Sequence, residues 1–162
     1  MKPANLFLIP DRSRFLIKVL DFGLAKSIRE DLRATRTGFL VGSPSYMSPE
    51  QVREEAPTVK SDLFCLASVS YELLTGKVAF SEESVIGTLN AILFGTPVPL
   101  ARLLPAVPDE LDTVFSHALA KIPEDRPGSV GQWAGSLLPI LARTQTCHPG
   151  WDIEKLSSGH LS

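Results

Sequence analysis

Apolar positions along the chain fall into two regimes. Between Leu6 and Leu20 two short runs, "LFLI" and "FLIKVL", stand on either side of "PDRSR". Apolar, β-branched and aromatic residues flanking a break of proline, aspartate, arginine and serine predict two strands joined by a turn. From Asp21 to Pro49 no period survives and glycine, serine, threonine and arginine are frequent. That stretch is predicted to be a long loop, and long loops in compact domains usually carry function or move.

Beyond Pro49 the period becomes helical. "EQVREE" predicts a short helix, and "KSDLFCLASVSYELLTG" is apolar nearly all round before it stops at Gly76. The second pattern predicts a buried central helix closed by a glycine. Ser81 is the expected N-cap of a helix through "EESVIGTLNAILFG", with Glu82 and Glu83 set against the positive end of its dipole. After the proline-punctuated "TPVPLARLLPAVP", Asp109 to Lys121 carries Leu111, Val114, Phe115, Ala118 and Leu119 at helical spacing. Ser129 to Ala142 does the same with Val130, Trp133, Ala134, Leu137, Leu138 and Leu141. The end, "RTQTCHPGWDIEKLSSGHLS", loses the period and reads as a flexible tail or the start of a linker. The expected fold is mainly α: a short β-hairpin, a long loop and about five helices.

Composition narrows the function only a little. The chain has 162 residues, one domain's worth, enough to bury roughly 70% of the surface its unfolded form exposes. A formal net charge of -2 gives no electrostatic case for nucleic acid or an anionic membrane. No stretch approaches the roughly 20 apolar residues of a membrane helix, and no signal-peptide pattern opens the chain. The expectation is a cytoplasmic chain without a membrane segment, although an anchor in a longer parent would escape this reading. Cys65 and Cys147 are the only cysteines, and neither has a second cysteine at metal or redox spacing. This suits a reducing compartment. Cys65, within the apolar helix, reads as a buried, inert thiol, and Cys147-His148 as incidental.

The candidate chemistry lies at the two ends of the long loop. Asp21-Phe22-Gly23 follows a predicted strand directly, and Ser48-Pro49-Glu50 closes the loop. Taken singly such tripeptides are weak signals. The ordered set "KPAN", "LDFGLAK", "GSPSYMSPEQ", "SDLFCL", "YELLTG" and "PEDRP", on matching elements, is specific. On these motifs the chain resembles the C-terminal lobe of a eukaryotic-type serine/threonine protein kinase, the α-rich lobe of the α+β protein kinase-like fold. The resemblance runs from Lys2 to about Ala142, so 1–142 is assigned as a partial kinase domain and 143–162 as a tail.

The resemblance implies transfer of the ATP γ-phosphoryl group to a protein Ser or Thr hydroxyl, with Mg2+. Such a reaction needs in-line positioning and neutralisation of phosphate charge by metal and cationic groups. Asp21 would hold magnesium against the nucleotide phosphates, and Asn5 would supply a carbonyl oxygen to the second ion. Lys2 would stabilise the migrating phosphoryl group; alone it would read as a solvated charge, and the lysine pattern marks serine/threonine rather than tyrosine kinases. Ser43 stands where the family carries the hydroxyl residue, usually threonine, of the loop that receives the acceptor. Thr35 and Thr37, beside Arg33 and Arg36, are candidate phosphosites whose phosphate would order the loop through arginine. Glu50 and Arg126 would form a structural ion pair, and Asp62 would accept hydrogen bonds from the catalytic-loop backbone.

The family places its general base, an aspartate, five positions before the magnesium-binding asparagine. Counting back from Asn5 reaches position zero, one residue ahead of Met1. The glycine-rich loop, the strand lysine and its glutamate partner have no counterpart in these residues either. Smaller departures are Ala67 for a glycine, Val78 and Ala79 for prolines, Ser48 for alanine, and three extra residues in the hairpin turn. Three readings follow. In the first, the chain is the C-lobe of an active kinase read from an internal methionine, inactive or very weak in isolation. In the second it is a non-catalytic binding or scaffold module, and in the third a marginally stable remnant. For the first reading, the DNA upstream is expected to encode an in-frame His-Arg-Asp directly before Met1. A stop codon with no alternative start would contradict it.

Overall fold

The hairpin forms where the two apolar runs place it. The computed structural model describes residues 2–11, 14–20, 44–104 and 107–143. Strands β1 (Leu6–Asp11) and β2 (Arg14–Val19) pair antiparallel, with Leu6 opposite Val19 and Asp11 opposite Arg14. Directly opposed residues share a face. One face therefore carries Leu6, Leu8, Ile17 and Val19, and the other Phe7, Ile9, Leu16 and Lys18. Leu8 and Ile17 are 60% and 61% exposed, and Phe7 and Leu16 are 49% and 58% exposed. Both faces of the hairpin are apolar and open.

Among the described residues there are six α-helices: α1 (Pro49–Val52), α2 (Val59–Thr75), α3 (Val85–Phe94), α4 (Leu100–Leu103), α5 (Glu110–Ala118) and α6 (Val130–Arg143). The central helix α2 starts at Thr58, whose hydroxyl accepts from Lys60 N–H while Ser61 Oγ accepts from Thr58 N–H. It ends at Gly76, where φ is 69° and the N–H donates to Glu72 O. Left-handed backbone suits glycine, which has no Cβ to clash.

Two expectations are corrected. The N-cap of α3 is Ser84, not Ser81: the Ser84 hydroxyl accepts from Gly87 N–H at 3.0 Å. The helix starts later than the acidic pair suggested, so Glu82 and Glu83 precede it. Glu82 N–H instead donates to Thr88 Oγ1. The second correction is α4, a sixth helix inside the segment expected to be an irregular connection. Its first amides, Leu100 and Ala101, donate to the carboxylate of Asp112 on α5. A cap borrowed from a different helix leaves no local pattern.

The core gathers around α2. Leu63, Phe64 and Tyr71 meet Phe80, Ile92 of α3, Leu111 and Phe115 of α5, and Trp133 of α6, all at 3% exposure or less. Phe64 stacks on Phe80, and Phe115 receives Tyr71 and Trp133 edge-on, at centroid distances of 5.7, 6.2 and 5.6 Å. Both buried polar tips are satisfied: Tyr71 Oη donates to Val98 O and Trp133 Nε1 to Val114 O. Cys65 is buried, and burial pushes its thiol up to about 11, so it is not a thiolate near neutral pH. Replacing Ser84 by alanine is expected to lower the unfolding free energy by about 1 kcal/mol. The same change at exposed Ser81 should cost less than about 0.5 kcal/mol. Urea denaturation measures both, and equal losses would contradict the assigned cap.

Candidate functional site

A single 3-10 turn, Pro3–Asn5, presents the first candidate residues. Proline opens it, where no amide donor is required, and Asn5 N–H donates to Lys2 O at 3.0 Å. Leu20 N–H then donates to Asn5 O at 2.8 Å, carrying the hairpin ladder one residue beyond its strands. The half-buried Asn5 is thereby fixed beside Leu20, the neighbour of Asp21 in sequence. Its side chain carries a carboxamide oxygen, a hard donor of the kind a magnesium ion takes. Lys2, at the entry of the turn, is exposed. Asp21, Thr35, Thr37 and Ser43 lie outside the described residues.

The start of α1 is held by a buried ion pair. Arg126 Nη1 and Nη2 donate to Glu50 Oε1 and Oε2 at 2.7 and 2.9 Å, a parallel two-bond arrangement. Each residue is 3% exposed. Removing two charges from water is costly unless their remaining donors and acceptors are also engaged, and here they are. Ser61 Oγ donates to Glu50 Oε1 at 2.6 Å, while Arg126 also donates to the carbonyls of Lys60 and Ala120 at 2.9 and 2.8 Å. Arg126 lies over the Phe64 ring at 4.9 Å, and its own carbonyl accepts from Lys60 Nζ at 2.6 Å. Burial alone would raise the Glu50 carboxyl. Hydrogen bonds from Arg126 and Ser61 outweigh it and hold the carboxyl down at about 2.

Between these two ends, Ser48 takes the N-cap position of α1, and Gln51 Oε1 accepts from its N–H at 2.9 Å. The serine that departs from Ala-Pro-Glu therefore fits a capping arrangement. Tyr46 Oη donates to Glu72 Oε2 at 2.5 Å, tying the 3-10 turn Pro44–Tyr46 to α2. Burial and the Glu72 carboxylate raise the Tyr46 phenol far above its ordinary value. Sequence reasoning missed this tether, whose partners are 26 positions apart. Asp62 is exposed on the first turn of α2 and has no hydrogen-bond partner among the described residues. The hydrogen bonds that the resemblance implied for it, from the backbone of residues 2–5, are not made among the described residues.

Comparison with known proteins identifies the family. The family model described as "Protein kinase domain" matches residues 1–134. The chain belongs to the protein kinase family. Serine/threonine-protein kinase Pkn1 of Myxococcus xanthus is 38% identical over 143 residues, 88% of this chain and 21% of its own length. Serine/threonine-protein kinase PknB of Mycobacterium leprae is 31% identical over 140 residues, 86% of this chain and 22% of its own. Tyrosine-protein kinase MasK of Myxococcus xanthus (strain DK1622) is 38% identical over 161 residues, 99% of this chain and 24% of its own. The kinase chain thus spans less than a third of the length of these relatives. Among the described residues no helix is long and apolar enough to cross a membrane.

In this protein kinase segment, Arg126→Met is expected to cost about 3–5 kcal/mol of stability, because it leaves the Glu50 charge buried without its partner. The pair also sets an acid response. Between pH about 4.5 and about 2 the unfolded chain binds more protons at Glu50 than the folded chain, so stability falls as pH drops through that window. Chemical denaturation at stepped pH tests both parts; a wild-type stability flat across the window would contradict them.

Proposed function

We propose that this chain is the C-terminal lobe of a serine/threonine kinase that transfers the γ-phosphoryl group of ATP to Ser or Thr of a protein. The carrying observation is the Leu20-to-Asn5 backbone bond, which sets Asn5 at the edge of the hairpin beside the position that precedes Asp21. A carboxamide oxygen and a carboxylate are hard donors of the kind magnesium takes, and the position of Asn5 supports that role. When bound, Mg2+–ATP supplies the transferable phosphoryl group and the charge neutralisation it needs. Asn5 and Asp21 would hold the metal, and Lys2 would offer an ammonium to the transferring group. Ser43 belongs to the loop that receives the acceptor, and phosphate on Thr35 or Thr37 would order the segment before it. Glu50 and Arg126 fix the end of that segment.

The acceptor hydroxyl belongs to the proposal, since the family includes MasK, named a tyrosine kinase. Lys2 in "KPAN" supports serine or threonine. By themselves these 162 residues hold no aspartate five positions before Asn5, so in isolation they lack the proton acceptor and are inactive or very weak. The open apolar faces of the hairpin favour the other reading, a binding module. A scaffold, however, has no need of magnesium donors.

With radiolabelled ATP, Mg2+ and a serine/threonine-rich acceptor protein, the 162-residue chain is expected to give no transfer above a protein-free control. The in-frame parent, if it encodes the upstream aspartate, is expected to give metal-dependent transfer that falls about 100-fold in Asn5→Ala and in Lys2→Ala. Efficient turnover by the isolated chain, or a parent indifferent to Asn5→Ala, would overturn the assignment.

A further inference from the structure

Lys121 lies in the connection between α5 and α6, and sequence reasoning gave it no role. Its Nζ donates to the carbonyls of Ala91 and Ile92 in the last turn of α3, at 3.2 and 2.6 Å. The Ala91 carbonyl also receives Gly95 N–H. Ile92 O belongs to the last carbonyls of α3, which have no helical donor, so Lys121 supplies what the helix itself cannot. A cation at a helix C-terminus is favoured by the dipole. The ammonium also sits 3.9 Å from the centroid of the Phe80 ring, and Phe80 stacks on Phe64.

The backbone carrying Lys121 is itself clamped. Arg126 Nε donates to Ala120 O at 2.8 Å and Nη2 to Lys121 O at 3.4 Å, while the same guanidinium grips Glu50. The same helix α3 packs against the turn Pro44–Tyr46 and against α1, which carries Glu50. The contacts close a ring: Glu50 to Arg126, Arg126 to the Lys121 backbone, the Lys121 ammonium to α3, and α3 back to the segment that follows Ser43.

We propose that Lys121 is a positioning residue for the acceptor loop: its ammonium pins the C-terminal end of α3, and α3 backs the turn that carries the chain out of Ser43. The proposal rests on the reading of Ser43 as part of that loop. A bond between Lys121 and α3 alone would affect only α3. The ring predicts an effect at residues 45–48 as well, carried through the packing of α3 on the turn Pro44–Tyr46 and on α1.

Amide hydrogen exchange on the full 162-residue chain tests this without needing catalysis. In Lys121→Met, which keeps the apolar stem and loses the charge, amides at 91–95 and at 45–48 are expected to exchange about 10-fold faster or more. Amides of α2 from 64 to 71 and of α6 should be unchanged, and Lys121→Arg should restore protection at both places. Unchanged exchange at 45–48, or uniform acceleration in every helix, would overturn the proposal. If Lys121→Met does not fold, the wild-type chain at pH 7 and pH 9 gives the same reading. Burial and the Arg126 charge lower the Lys121 amine to about 8, so with intrinsic rates corrected the same two stretches should lose protection at pH 9; no local change there overturns it. Coupled exchange in a parent that transfers no phosphate would sink the kinase reading alone. Phosphotransfer without coupled exchange would sink the role of Lys121 alone.

Discussion

A carboxylate and a guanidinium taken out of water together constrain the rest of this structure. Glu50 stands at the start of α1 and Arg126 in the connection before α6. Their pairing also draws in Ser61 at the start of α2 and the carbonyls of Lys60 and Ala120. One buried site therefore sets the relative positions of four parts of the chain. Such a pair adds little net stability over an apolar replacement of the same shape, but removing one partner is expensive. That asymmetry suits a device that selects one arrangement of the loop's end, whereas the aromatic packing around α2 supplies the bulk of the burial.

The segments on either side of residues 21–43 are held in different ways. The Glu50 end is anchored to a helical core by the ion pair, by the Tyr46–Glu72 bond and by packing on α3. The Asn5 end rests on a two-stranded hairpin, and a hairpin of that size is marginal in water without further packing. Its two apolar faces have the pattern of strands meant to be covered on both sides. A firm acceptor platform and a metal-binding edge carried by a lightly held hairpin form the physical division within the proposed site.

What could be read from the residues followed how local each determinant is. The central helix and its Gly76 stop were legible because the apolar pattern and the left-handed cap both lie within the segment. Ser84 was missed because Ser81 also precedes the helix and the two glutamates favoured it; only the hydroxyl's bond to Gly87 separates the two serines. The helix Leu100–Leu103 was hidden because its cap comes from Asp112. Glu50 and Arg126 were singled out through family resemblance, since nothing periodic links residues 76 positions apart. Lys121 left no signal because a lysine in a loop looks solvated until the end of α3 is seen above it. For Asn5 the family resemblance suggested the role, while its place at the hairpin edge required the backbone bond from Leu20.

The most direct test of the buried pair as the organising constraint is a double-mutant cycle on Glu50→Gln and Arg126→Met, read by chemical denaturation at neutral pH. If the pair holds the structure as described, each single change is severe and the double mutant recovers part of the loss, with a coupling of about 2–3 kcal/mol. Losses that simply add, to within about 0.5 kcal/mol, would contradict it.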